Sequence, residues 1–215
     1  MTNLEMNVPS KYYKDYLIAK AVVNTFVSRA DHFIVTSFAD AKIKRNNTTI
    51  VPPLIRRGVR KVNGKYGQKI LVYLTRKNKE IEKILQKIDE KFVVYGYNIK
   101  KKDKNLEFKT KETFLKDLAN CKAIIATSGF TLMSEALFLK KPYFALPLKG
   151  QFEQVLNALF LKKAGYGDYS DKLTEKDVVY FLYKLDDYKK NLRNYKIDFK
   201  KLEKTLVDVL KKVKK

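Results

Sequence analysis

The stretch AIIATSGFTLMSEALFLKKPYFALPLKGQFEQVLN, Ala123 to Asn157, decides the fold of this chain. Ala123 to Ala126 is a short apolar run with the length and composition of a buried strand. After Thr127, Ser128 and Gly129 the apolar positions Leu132, Ala136, Leu137 and Leu139 recur at helical spacing. Pro142 ends that helix, because proline lacks the amide hydrogen and clashes with the preceding turn. Tyr143 to Leu146 reads as the next strand. Strand, Gly-containing turn, helix and strand make one βαβ unit of a parallel sheet.

A helix that begins directly after a strand points free amides and the positive end of its dipole at the rim of the sheet. Ser128, Gly129 and Thr131 stand there, and they suit a phosphate or diphosphate. Glu135 lies one turn further along the same face and can accept hydrogen bonds from a sugar diol. A second reading stays open on spacing alone. Ser and Gly also start helices for purely structural reasons, and Glu135 is then a solvated surface residue.

The ordered set Ser128-Gly129-Phe130-Thr131, Ser134-Glu135-Ala136, Lys141-Pro142, Pro147, Gln154, Asn157-Ala158 and Gly165 resembles the donor-nucleotide region of GT-B glycosyltransferases. It is most similar to the peptidoglycan lipid-intermediate N-acetylglucosaminyltransferase family and its archaeal-type relatives. The likeness covers about half the chain and rests on order and spacing rather than on one residue. It implies binding of a nucleoside diphosphate sugar, UDP-linked, by an inverting hexosyltransferase that uses no cofactor and no metal. The diphosphate is then held by Ser128, Gly129, Phe130 and Thr131, and the ribose by Glu135. Glu153, Gln154 and Asn157 hold the donor sugar or support its loop. The resemblance also places Thr75 and Arg76 at a second diphosphate-facing turn and Phe108 near the base. The Thr75 turn lacks the family's glycines, so Arg76 reads equally as a surface residue; for Phe108 a core position is the better reading of the residue itself.

Composition bounds the rest. A chain of 215 residues with 45% hydrophobic content holds a real core and one large or two small domains. One cysteine, Cys121, excludes an internal disulfide and reads as a small core residue; one histidine, His32, excludes a histidine-rich metal site. No apolar run reaches the roughly 20 residues of a membrane span, and no signal-peptide core opens the chain. The expected location is cytoplasmic, with peripheral contact at an anionic membrane surface as an option.

The net charge of +23 comes from 39 Lys and seven Arg against 23 acidic residues. Nucleic-acid readers lean on Arg for bidentate contacts, and no such module is present, so a solvated lysine surface is the better reading. The contrasting function class is a basic module for nucleic acid or membrane with a degenerate nucleotide site. No G-x-G-x-x-G, G-x-x-x-x-G-K-[ST] or G-x-S-x-G occurs, which argues against dinucleotide enzymes, P-loop nucleotidases and serine hydrolases.

The expected fold class is α/β, a Rossmann-like parallel sheet flanked by helices, preceded by a remnant of an N-terminal domain. Residues 1–56 read as the end of an acceptor domain plus the linker Val51-Pro52-Pro53-Leu54-Ile55-Arg56. They hold a helix at Tyr12 to Val27 and strands at His32 to Thr36 and Thr48 to Val51, too little to bury both faces. Residues 57–185 read as the donor domain, with strands at Lys69 to Thr75, Phe92 to Tyr95 and Leu106 to Phe108. Its expected helices are Thr75 to about Lys91, Lys111 to Asn120 with Thr110 as cap, and the helix opened by Thr174 and Asp177. Residues 186–215 read as a C-terminal amphipathic helical segment. No catalytic base is identified. The chain alone is expected to turn over little substrate, with a separate acceptor-domain subunit or an absent part of the protein completing it.

Overall fold

A computed structural model describes residues 3–27 and 30–213. Its centre is a seven-stranded sheet made from β3 (Lys69–Tyr73), β4 (Lys91–Tyr95), β5 (Lys101–Asp103), β6 (Leu106–Phe108), β7 (Ala123–Thr127), β8 (Tyr143–Leu146) and β9 (Gly167–Tyr169). The spatial order is β5-β6-β4-β3-β7-β8-β9, parallel except for the β5–β6 pair. The chain builds outward from β3 through β4 and β6, then returns to lay β7 on the other side of β3. At such a reversal the loops after the two strands diverge and leave a crevice at their carboxyl ends.

Side-chain alternation divides the core between the two faces of this sheet. Leu71, Val93, Ile124, Ala126 and Tyr143 belong to one cluster. Ile70, Val72, Phe92, Val94, Ile125 and Phe144 belong to the other. Every residue of β7 and β8 is buried, which is the reason their sequences run apolar without alternation. The covering helices are α3 (Lys79–Leu85), α4 (Phe114–Asn120), α5 (Phe130–Phe138), α6 (Phe152–Lys163), α7 (Glu175–Tyr183) and α8 (Leu185–Arg193). α9 (Phe199–Val213) follows them and buries Leu202 and Val209.

A smaller unit precedes the sheet. It holds α1 (Tyr13–Val27) and a parallel pair, β1 (Phe33–Thr36) with β2 (Thr48–Val51), joined to the large unit through Pro52-Pro53 and the short α2 (Arg57–Arg60). α1 buries none of its residues and rests on α6 through Tyr16, whose ring lies 5.3 Å from that of Phe152. Phe38 and Ile55 carry the packing into the large core.

Several local expectations change. The helix expected to reach Lys91 stops at Leu85, and Asn105 holds the following turn by donating to the carbonyls of Leu85, Ile88 and Glu90. Residues 96–105, where no element was expected, contain β5, which folds back on β6. Arg57 to Arg60, just after the expected linker, is helical. β9 was not expected; α8 falls in the expected C-terminal helical segment, and its Leu185, Tyr188 and Leu192 are buried, so it packs with the large sheet. Thr110 makes no capping hydrogen bond, and a 3-10 turn, Lys111–Thr113, leads into α4. The Thr174–Asp177 capping box forms as read, and Gly165 takes the left-handed conformation at φ +68°. Among the described residues no helix is long and apolar enough to cross a membrane.

Candidate functional site

The site begins with the turn between β7 and α5. Gly129 is the N-cap residue of α5 and offers no capping side chain. α5 also has no acidic residue in its first turn, unlike α3, α6, α7 and α8. Its first amides thus present positive potential that no side chain of the helix cancels. A Cβ built on Gly129 would meet nothing within 4 Å, so this backbone is open to a ligand.

Two partners hold the turn in place. Asn157 of α6 donates from its amide nitrogen to the Ser128 carbonyl at 2.9 Å, and the Tyr143 hydroxyl donates to the Thr127 carbonyl at 2.6 Å. Burial keeps the Tyr143 phenol neutral by pushing its pKa far up, as a donor requires. The Ser128 hydroxyl is fully buried and has no hydrogen-bond partner.

Three cavities flank this turn, touching it at Thr131, Thr127 and Gly129 respectively. The largest, about 900 Å3, is lined by Tyr73, Tyr95, Gly96, Lys109, Phe114, Thr131, Glu135 and Arg56. It lies at the carboxyl ends of β3 and β4, beside the reversal point. Gly96 is obligatory there: its φ is +102°, and a Cβ would stand 1.8 Å from the Leu74 carbonyl oxygen. The second, about 520 Å3, is lined by Thr75, Arg76, Thr127, Pro147 and Lys172. The third, about 500 Å3, runs between α1 and the starts of α5 and α6, with Ile18 and Val22 facing Gly129, Gln154 and Asn157.

Glu135 lines the first cavity yet has 0% of its surface exposed. Arg56 covers it, with Nε donating to Oε1 at 2.5 Å and Nη2 to Oε2 at 2.6 Å. The carboxylate holds the guanidinium pKa above its ordinary value. The cavity's other charged wall is a network. Lys109 Nζ meets Asp117 at 2.9 Å and Glu107 at 3.5 Å, and Tyr95 donates its hydroxyl to Asp117. Burial lowers the Lys109 pKa, but the two carboxylates outweigh it and the net shift is upward. Burial is also the main cause of the raised Tyr95 pKa, with the Asp117 contact adding to it.

The residues expected from sequence fall into distinct places. Thr131 and Glu135 line the first cavity, Thr75 and Arg76 the second, and Gly129, Phe130, Glu153, Gln154 and Asn157 the third. Asn157 serves the turn rather than a ligand, through its bond to Ser128. Gln154 braces its own loop: its amide oxygen accepts from Leu148 N at 3.2 Å and its nitrogen donates to Gln151. The Phe130 ring packs 5.8 Å from Phe38, leaving its amide as the group facing the crevice.

Phe108 is corrected. It is 4% exposed, sits in the core and stacks on Tyr97, so it offers no face to a base. Cys121 is buried, its thiol pushed up to about 12 by desolvation, as a core residue should be. His32 bonds to Thr49 within the small unit. No group of side chains among the described residues is arranged to hold a metal ion.

Sequence reading missed Arg56, Tyr73, Tyr95, Lys109 and Phe114 as site residues. Tyr73 and Tyr95 end their strands, a position that marks the functional rim of a parallel sheet and was available as a signal. Nothing in one dimension joins Arg56 to Glu135.

Comparison with known proteins completes the picture. A model of glycosyl transferase family 1 matches residues 1–186. No curated protein matches the sequence. Among solved structures, the glycotransferase of kitacinnamycin superposes with a TM-score of 0.61 at 16% identity, covering 86% of this chain and 56% of that one. CalG4, the calicheamicin glycosyltransferase, gives 0.55 at 17% identity, covering 86% and 53%. UGT2 of Phytolacca americana, complexed with UDP-2-fluoro-glucose and pterostilbene, gives 0.52 at 12% identity, covering 71% and 44%. The chain thus spans about half the length of the structures it matches, and the shared architecture is the GT-B fold. With the family model spanning most of its length, this chain belongs to glycosyl transferase family 1.

Proposed function

We propose that the chain forms the donor side of an inverting hexosyltransferase and binds a UDP-linked sugar at the rim of the large sheet. The observation that carries this reading is the start of α5. It is uncapped, open at Gly129, and flanked by three cavities beside the strand reversal. The nucleoside enters the 900 Å3 cavity among Tyr73, Tyr95 and Phe114, with its ribose diol on Glu135. The diphosphate lies across the first turn of α5, with the amides that follow Ser128 and Gly129 facing it, Thr131 and Thr75 supplying hydroxyls and Arg76 a cation. The sugar extends toward Glu153 and Gln154. UGT2 of Phytolacca americana, with its bound UDP sugar, supports this donor class. Likeness to the lipid-intermediate N-acetylglucosaminyltransferases, from the ordered residues around Gly129, narrows the sugar toward N-acetylglucosamine.

As the glycosidic bond breaks, charge gathers on the leaving diphosphate. Preorganised amides at a helix start stabilise that charge without reorganising, and they favour the transition state over the ground state. The acceptor and its base belong, in this proposal, to further α/β structure that docks on the small unit. The support is β1–β2, a parallel pair whose outer edges carry no strand among the described residues. The isolated chain is therefore expected to bind donor and to transfer little.

Thermal unfolding with UDP and UDP-N-acetylglucosamine tests this. A ligand at a hundred times its Kd stabilises the folded state by about 2.7 kcal/mol. Saturable stabilisation that is lost in Glu135→Ala and weakened in Thr131→Val is the expected result. No saturable shift with either nucleotide would sink the proposal. Salt-sensitive binding of polyanions in its place would favour the basic-module reading suggested by the net charge of +23.

A further inference from the structure

We propose that Arg56 is a latch on the donor site. It covers Glu135 in the empty protein and releases it only to a nucleoside that brings its own phosphates. The inference rests on the donor-site reading above and assigns its selectivity to one residue.

The geometry supplies three facts. First, both carboxylate oxygens of Glu135 are engaged by the guanidinium, at 2.5 and 2.6 Å. A ribose diol donates two hydrogen bonds and needs those same two oxygens. Arg56 and a ribose therefore compete for one acceptor. Second, the pair is asymmetric. The Glu135 side chain is 0% exposed, while that of Arg56 is 63% exposed and borders the 900 Å3 cavity. The carboxylate cannot leave, but the guanidinium can. Third, the Arg56 backbone is anchored on both sides. Ile55 and Val59 are buried at 7% and 1% exposure in the core beneath it. A swing of the side chain needs no movement of the chain.

Charge decides what can open the latch. A neutral nucleoside that displaced Arg56 would leave a buried carboxylate without its cation, and a diol is a poor substitute for that charge. A nucleoside diphosphate brings phosphate oxygens to the same cavity. The planar fork of the displaced guanidinium matches them in a bidentate way and remains bound close to Glu135. The positive charge is thus moved rather than lost. Among the other cations lining this cavity, Lys109 is committed to Asp117 and Glu107, so it does not replace Arg56 on Glu135.

The test is isothermal titration of the full chain with UDP and with uridine, on the wild type, Arg56→Ala and Arg56→Lys. The latch predicts that Arg56→Ala weakens UDP by about tenfold or more, one strong charge-assisted interaction. Uridine binding holds or tightens in the same variant, because nothing covers Glu135, and the preference for UDP over uridine collapses. Arg56→Lys keeps the charge without the fork and falls between; it carries the test if the alanine variant does not fold. Equal losses for UDP and uridine would show that Arg56 merely orients Glu135, and the latch would be overturned. A wild type that binds neither compound would remove the donor site itself, a different failure from the first.

Discussion

The molecule contains two parallel β pairings with opposite fates. β3 and β7 lie side by side at the middle of the large sheet, and Ile70, Leu71, Val72 and Ile124 are all 0% exposed. β1 and β2 pair in register from Phe33–Thr48 to Thr36–Val51, yet β1 alternates between half-buried and exposed positions. The strand sequences, KILVY and AIIAT against FIVT and TTIV, have similar β propensity. What separates them is cover. Helices close both faces of the large sheet, whereas no residue of β1 is buried. Parallel sheets are stable when buried on both faces, so the small pair contributes less to the core than the large sheet does.

The sharpest contrast is in the cost of deleting a side chain. Leu71→Ala removes a fully buried residue from the core cluster and should cost about 3 kcal/mol in urea unfolding, as large-to-small core changes do. Ile34→Ala, at 41% exposure in β1, should cost less than about 1 kcal/mol. Equal losses would mean that the two pairings are equally built into the fold.

Next comes the support of the α5 turn. Tyr143→Phe keeps the ring in place but removes the donor to the Thr127 carbonyl. A buried acceptor left unpaired costs about 1 to 2 kcal/mol. Because the carbonyl lies in the turn before Gly129, weaker nucleotide binding should accompany the lost stability. A stability change with unaltered UDP affinity would separate the turn from the site.

These two positions also show what the sequence makes legible. Unbroken apolar runs gave the central strands, since two-sided burial leaves no room for alternation. Capping chemistry gave the start of α7, and the proline at 142 the end of α5. The short strand β9 was not legible, because three residues, Gly167 to Tyr169, carry no period and owe their state to β8 alongside. The start of α5 was legible through Gly129, which stands as its N-cap residue. Phe108 lies in the core, as its own sequence context favoured, and not at the base site that the resemblance implied, because an aromatic residue at a strand end reads alike whether it faces core or crevice. Arg56 over Glu135 was not legible at all, since the pair forms only when α2 and α5 come together across 79 positions of chain.

A smaller effect concerns the clasp that holds the N-terminal segment. Lys11 Nζ lies 2.7 Å from Asp171, and the Tyr12 hydroxyl donates to the same carboxylate at 2.5 Å. Burial pushes the Asp171 pKa up, but the hydrogen bonds from Lys11 and Tyr12 outweigh it and the net shift is below 3.8. A depressed carboxylate contributes stability that is fully present above its unfolded pKa, about 3.9, and lost as pH falls through the folded value. Both charged partners are half exposed, so the contribution is about 0.5 kcal/mol. In NMR spectra the amides of residues 10–27 should broaden as pH drops below about 4, while those of Leu71 and Ile124 stay protected. Asp171→Asn should produce the same local opening at neutral pH. Simultaneous loss of both regions in acid would show one cooperative unit and erase the contrast.

The smallest expected effect is at the exposed apolar residues of α1. Ile18 and Val22 are 56% and 52% exposed, and Phe26 is 82% exposed. Replacing Val22 by Ser gives up little burial in this chain by itself and should shift its stability by less than about 0.5 kcal/mol. Val22 nevertheless lines the cavity that reaches Gly129 and Gln154, where the proposed acceptor side meets the donor. A surface of this kind is energetically silent until a partner covers it, and then it becomes a hot spot. Val22→Ser should therefore leave melting and UDP affinity unchanged, yet lower transfer in a reconstituted enzyme, raising the acceptor KM without changing kcat. A large loss of stability in the isolated chain would mean that α1 is already part of a finished fold, and the small unit would need no further cover.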